Sequence, residues 1–168
     1  VNVAKLIGKN DTLSNAIDQR RYKYLVKYSY EKLISGSMDK FILLNNSLIL
    51  KGYDIHCIFD EILIPTLKQI GDNWIDGKIT ITEEHLASEI IRKFLSNLNF
   101  QYLSKKSKYN AFCFTLIDDK HDLPIHMGES ILNQYNTIKT FNLGPNLPVE
   151  DFVELSKKVN PDIVFVSI

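Results

Sequence analysis

The chain has 168 residues, enough for one mid-sized domain or two small ones, and its 45% hydrophobic and 24% charged content is that of a core-forming protein. Lys and Arg together number 20, as do Asp and Glu. The resulting zero net charge argues against a stand-alone nucleic-acid binder, which needs a basic surface to displace counterions from phosphates. No run of about 18 apolar residues suggests a membrane span, and no signal peptide is visible, so a cytoplasmic location is expected. Cys57 and Cys113 lie far apart in apolar stretches and read as buried thiols of a reducing compartment, not as a disulfide or zinc framework. The chain opens on Val1 and stops at Ser167-Ile168 directly after an apolar run, so both ends are expected to be cut from a longer protein.

The pattern is helical up to about residue 103. A first helix is predicted over about 14–35, with Ile17, Leu25, Tyr28, Leu33 and Ile34 between charges and Ser35-Gly36-Ser37 ending it. The aromatic-basic run Arg20-Arg21-Tyr22-Lys23-Tyr24 within it reads as a solvated helix face rather than a nucleic-acid contact. A second helix, about 38–51, carries Phe41, Leu44 and Leu48 and stops at Gly52. Asp54 is a candidate N-cap for a third, which repeats Ile55, Phe59, Ile62, Leu63, Leu67, Ile70 and Trp74. Pro65 lies inside that helix and should kink it or loosen one turn. The fourth begins near Thr80, where Thr80-x-x-Glu83 fits a capping box, and continues through Leu86, Ile90, Phe94, Leu98 and Tyr102. Four helices with short joints make an antiparallel bundle the simplest arrangement.

Ser104–Lys108 reads as a polar linker. Beyond it, short apolar runs at Ala111–Ile117, Thr137–Leu143 and Asp162–Ser167 alternate with helix-length segments near 124–135 and 148–158. Strand and helix in alternation imply a parallel sheet with right-handed crossovers. Parallel sheets normally have both faces covered, so further strand–helix units are expected beyond Ile168.

Open α/β sheets bind ligands at the carboxyl ends of their strands. The loop after the first strand reads Asp118-Asp119-Lys120-His121-Asp122-Leu123-Pro124, which sets His121 among three carboxylates. A carboxylate on one imidazole nitrogen orients the ring and makes the other a better metal ligand. A second candidate is Trp74, at the end of one helix, with Glu84 and His85 in the first turn of the next, where a negative charge suits the helix dipole. Taken alone, the simpler alternatives stay open: a solvated loop histidine, a tryptophan plugging the core, and a hydrogen-bonded surface histidine.

Together these residues resemble a known family. Trp74, nine intervening residues and Glu84-His85 match the Trp-x9-Glu-His motif of CarH-type, MerR-family photoreceptor regulators that depend on adenosylcobalamin. Gly71-Asp72-Asn73-Trp74, Gly77-Lys78-Ile79 and Glu83-Glu84-His85-Leu86-Ala87-Ser88 are similar too. Asp119-x-His121 resembles the opening of the corrinoid signature Asp-x-His-x-x-Gly, and 42 residues separate position 124 from Ser167, where the signature's serine is expected. Leu143-Gly144 with Leu147-Pro148 resembles the segment after the second strand of such domains. The likeness runs from about residue 38 to the C-terminus. It departs from the pattern in three places: Pro124 replaces the signature glycine, Ile75 replaces the histidine after the tryptophan that captures cobalt after photolysis, and the Gly-Gly of the nucleotide-tail groove is absent.

The resemblance implies a helical bundle over 1–104 followed by a Rossmann-like, flavodoxin-like domain over 109–168, truncated at its C-terminus. It implies cobalamin, in the adenosyl form, held between the two, with Asp119, His121, Gly144 and Ser167 on the α/β side and Trp74, Glu84 and His85 over the upper ligand. His121 would be the lower axial ligand of cobalt and Asp119 its partner. The chain is then a sensor module of a light- or B12-responsive transcriptional regulator, not an enzyme. It would switch through homo-oligomerisation and reach DNA only through a domain absent from this chain. Two rivals are a corrinoid carrier protein of a methyltransferase system and a degenerate module that acts by protein contact alone.

Overall fold

The computed structural model describes residues 11–101 and 107–168. The chain divides into two compact units, one up to Ile90 and one from Ile91. The expected domain limits, 1–104 and 109–168, remain a proposal, and expected Tyr102 and most of the linker lie outside the described residues.

In the first unit α1 (Asp11–Asp18), α2 (Tyr22–Ile34) and α3 (Met38–Leu50) follow one another through short turns. The single helix expected over about 14–35 is therefore two. Arg20 adopts φ 51, and Arg21 N–H reaches Ala16 O at 2.9 Å, the signature of a left-handed helix cap built without glycine. The Arg20 guanidinium lies 4.9 Å from the Tyr53 ring centre, a cation–π contact that offsets part of the backbone cost. Gly36 (φ 69) closes α2 as expected, with Ser37 N–H on Lys32 O.

The third expected helix is continuous from Ile55 to Ile75 but changes winding: α4 (Ile55–Ile58), a π turn (Phe59–Leu63), then α5 (Ile64–Ile75). Asp54 caps it as expected, accepting the His56 N–H at 2.9 Å. The wide turn sits directly before Pro65. Proline has no N–H to offer the carbonyl four residues back and its ring would press against it, and the i→i−5 bond from Ile64 N–H to Phe59 O relieves both. Next comes α6 (Ile81–Gln101), within which the two units divide. Helix α2 packs against α1, α3, the π turn and α5. Leu25, Leu33, Phe41, Leu44, Leu48 and Phe59, all at 1% exposure or less, form the middle of this core. Burying each such side chain contributes about 1.5–3 kcal/mol.

The second unit holds a three-stranded, all-parallel sheet in the order β2-β1-β3, from β1 (Tyr109–Leu116), β2 (Ile138–Leu147) and β3 (Ile163–Ser167). Helices α7 (Leu123–Leu132) and α8 (Val149–Val159) make the crossovers. Strand β1 is central and buried from Ala111 to Thr115. Its side chains alternate: Phe112 and Phe114 meet Phe152 of α8, whereas Cys113 shares its face with α7. On that face Gly128 lets α7 approach Phe165 of β3 so closely that an added Cβ would lie 2.5 Å from the ring. Burial pushes the Cys113 thiol up to about 12, so it is an inert core group, while Cys57 is only half-buried and meets the Tyr22 hydroxyl at 3.3 Å. Among the described residues no helix is long and apolar enough to cross a membrane.

Candidate functional site

At the carboxyl end of β1 the chain turns sharply at Asp118 (φ 73). Two side chains, one of them far off in sequence, hold this turn. The Thr115 hydroxyl donates to Asp119 O at 2.6 Å and accepts the Asn146 N–H at 2.9 Å, and the Asn146 side-chain oxygen accepts the Asp118 N–H at 2.8 Å. Asp119 then turns its carboxylate onto His121 twice, with Oδ1 2.9 Å from both the backbone N and ring Nδ1. These two bonds hold the Asp119 carboxyl below its ordinary pKa, so it stays an ionised acceptor. Nδ1 is thus turned onto Asp119, which leaves Nε2 as the ring nitrogen without that contact. The His121 side chain is 91% exposed. A bare imidazole nitrogen on a ring fixed through its other nitrogen is the arrangement of a metal ligand.

Asp122 is anchored in a different way. Its carbonyl accepts the first N–H groups of α7, from Ile125 and His126, and its carboxylate takes two bonds from Arg92, at 2.6 Å (Nε) and 2.7 Å (Nη2). Burial alone would push this carboxyl up, but Arg92 outweighs it and holds it below the ordinary range. Pro124 sits in the first turn of α7, where its missing N–H costs no helical bond.

Gly144 takes φ 84 in β2 and donates its N–H to Asn142 Oδ1 at 3.0 Å. The Asn142 amide in turn donates to Glu129 at 3.0 Å and lies 3.1 Å from His126 Nδ1. Burial pushes the Glu129 carboxyl up, yet the His126 and Asn142 contacts prevail and keep it low. Ser96, Asn99, Phe100, His126, Glu129 and Asn142 line a cleft of about 320 Å³. Ser167 is half-buried and pairs with Thr115 in the β1–β3 register. The structure thus gathers Asp119, His121, Gly144 and Ser167 toward one end of the sheet.

In the helical unit, Trp74 ends α5 with 46% of its surface exposed, and Ile75 beside it is 78% exposed. Trp74 is therefore no core plug. The turn to α6 uses Gly77 (φ 68), with Lys78 N–H on Asn73 O at 2.8 Å. The expected capping box is present: Thr80 N–H and hydroxyl reach Glu83 at 2.7 and 2.8 Å, and Glu83 N–H returns to the Thr80 hydroxyl at 3.2 Å. Glu84 is held by Ser88 at 2.8 Å and by His85 Nδ1 at 2.5 Å, so it and His85 form a hydrogen-bonded pair at the start of α6. Ile81 and Leu86 nearby in sequence also remain 54% and 43% exposed, which leaves this turn rich in uncovered apolar surface.

Sequence reasoning missed Thr115, Asn146 and Arg92, whose partners lie about 30 residues away, and it missed the cleft at His126 and Glu129. Only Asn146, in a Gly-Pro-Asn turn, gave any local signal.

Residues 30–99 match a family model described as a B12 binding domain. The HTH-type transcriptional repressor CarH of Myxococcus xanthus is 28% identical over 110 residues, covering 65% of this chain and 36% of that protein. The match therefore spans well under half of the curated relative's length. The monomethylamine corrinoid protein of Methanosarcina barkeri superposes with a TM-score of 0.67 at 17% identity, over 86% of this chain and 68% of that one. The helical part followed by a three-stranded parallel sheet is the Rossmann-like fold of corrinoid proteins, and the match over residues 30–99 supports a cobalamin-binding module.

Proposed function

We propose that this chain binds cobalamin as the sensor module of a transcriptional regulator, with His121 as the axial ligand of cobalt. The observation that carries the reading is how that imidazole is held: Nδ1 lies 2.9 Å from Asp119 Oδ1, and the side chain is 91% exposed at the carboxyl end of a parallel sheet. A single protein donor suits a metal whose other positions its own macrocycle fills. Asp119 keeps His121 oriented, while Gly144 and Ser167 offer backbone and hydroxyl at the same sheet end. On the helical side the resemblance would assign Trp74, Glu84 and His85 to the upper ligand. Bound cobalamin would supply a cobalt–carbon bond, which light can break in the adenosyl form that this reading favours. The regulator reading adds homo-oligomerisation and a DNA-binding domain outside this chain, and it is supported by the CarH likeness and the Trp-x9-Glu-His motif.

The fold likeness to a monomethylamine corrinoid protein favours a second reading, a carrier that passes methyl groups between methyltransferases. Incubation with adenosylcobalamin in darkness, gel filtration and then illumination separates the two. A retained red chromophore whose size changes in light supports the regulator; methyl turnover from methylcobalamin with a methyltransferase supports the carrier. Loss of colour on the column favours a module that acts by protein contact alone. His121→Ala should remove the signature of imidazole ligation from the bound spectrum, and an unchanged spectrum would overturn the ligand assignment.

A further inference from the structure

We infer that Arg92 is a positioning residue for His121, an inference that rests on the cobalamin reading above. His121 occupies a short arc between two anchors. On one side Asp119 is tied to Thr115 through its carbonyl and to His121 itself through its carboxylate. On the other side, one residue along, Asp122 is tied to α7 through its carbonyl and to α6 through Arg92. Consecutive Cα atoms are about 3.8 Å apart, so the freedom of His121 cannot much exceed that of Asp122.

The second anchor depends on one side chain. The Asp122 side chain is only 16% exposed, and its other basic neighbour, His126 Nε2, stands off at 3.8 Å. Arg92 engages it through Nε and Nη2 together, a planar two-point contact that fixes direction as well as distance. A lysine can place one ammonium there but cannot reproduce the fork. Without Arg92 the carboxylate is left half-buried and unpaired, which is costly, and it gains by moving toward water. The His121 backbone moves with it, while the strand beneath, held by its own ladder, stays where it is. Arg92 lies on α6, Ile81–Gln101.

The full chain and its Arg92→Gln, Arg92→Lys, Asp122→Asn and His121→Ala variants are loaded with adenosylcobalamin in darkness. Affinity and the fraction of bound cobalamin carrying an imidazole ligand are read from absorption spectra. Hydrogen exchange at residues 109–122 is read in the cobalamin-free proteins. Arg92→Gln should weaken binding about 10- to 100-fold, the range for outer-shell partners of metal ligands. It should lower the imidazole-ligated fraction and speed exchange at residues 117–122 while β1 stays protected, with Arg92→Lys between it and wild type. Wild-type affinity, spectrum and exchange in Arg92→Gln overturn the inference alone, provided that His121→Ala changes the spectrum. No change in His121→Ala overturns the cobalamin reading and the inference with it. Should Arg92→Gln lose protection in β1 and so fail to fold, Asp122→Asn takes its place: wild-type binding with β1 protected overturns the inference, and weaker binding with a mobile 117–122 loop supports it.

Discussion

At the scale of single residues, the proposed site turns on how the His121 ring is held. One Asp119 oxygen lies 2.9 Å from both the His121 backbone N and Nδ1. Removing the carboxylate should free the ring to rotate and to take either tautomer. Asp119→Ala is therefore expected to weaken cobalamin binding about 10- to 100-fold, with Asp119→Asn less affected because its amide oxygen still accepts from the ring. Titration followed by absorbance measures both. The pair was legible in the sequence because Asp119 and His121 are two residues apart and a turn brings such neighbours together whatever the rest of the fold does. Arg92 was not. A half-buried arginine on an amphipathic helix looks like any solvated one until the fold supplies its partner 30 residues away. The exposed state of Trp74 was equally hidden, since an indole at the end of an apolar stripe reads as core by pattern alone.

At the scale of elements, the features that local chemistry controls were readable and those set by packing were not. The Asp54 cap, the Gly36 terminus and the Thr80–Glu83 box all sit where the residue types demand, because each is closed by partners within five residues. The box leads to a prediction. Thr80→Ala should destabilise the fold by about 1 kcal/mol, measured by urea unfolding. The Thr80 backbone N–H and hydroxyl hold the Glu83 carboxyl below its ordinary value of 4.5. A folded pKa below the unfolded one means the contribution is complete above the unfolded value and fades as pH falls through the folded value. The gap between wild type and Thr80→Ala should thus narrow, without closing, as the solution is acidified, because the backbone N–H contact stays in both and the hydroxyl's bond to the Glu83 N–H does not titrate; a gap that widened would contradict the assignment. By contrast, the break at Arg20 has no glycine or proline to announce it; a non-glycine residue at φ 51 is held there by the Tyr53 ring, 33 positions on. The π turn falls between. Pro65 signalled a disturbance, but only the packed helix decides that it takes the form of one widened turn rather than a bend.

At the scale of the whole molecule, helical periodicity giving way to alternating strand and helix segments was enough to foresee a helical part and a parallel sheet, because those periods are imposed by backbone geometry. The strand order β2-β1-β3 puts the first strand at the centre, with both later strands parallel to it. What periodicity leaves open is the upper ligand, and the exposed indole offers a way to read it. Ligand that binds only the folded chain raises stability by RT ln(1 + [L]/Kd), so each tenfold loss of affinity lowers that gain by about 1.4 kcal/mol. Stacking of a nucleobase on an aromatic side chain contributes about 1–3 kcal/mol. If Trp74 meets an adenosyl group, Trp74→Ala should weaken adenosylcobalamin roughly 5- to 150-fold on that range. Hydroxocobalamin, with almost nothing on its upper face, should lose little. Thermal unfolding of both proteins with each cobalamin in excess supplies the four values needed, and the difference of differences isolates the contact of indole with adenosyl group from any general damage to the helical unit. Equal losses for the two cobalamins would place Trp74 outside the upper-ligand pocket and shift the balance toward a methyl carrier, whose upper ligand is too small to need an indole platform.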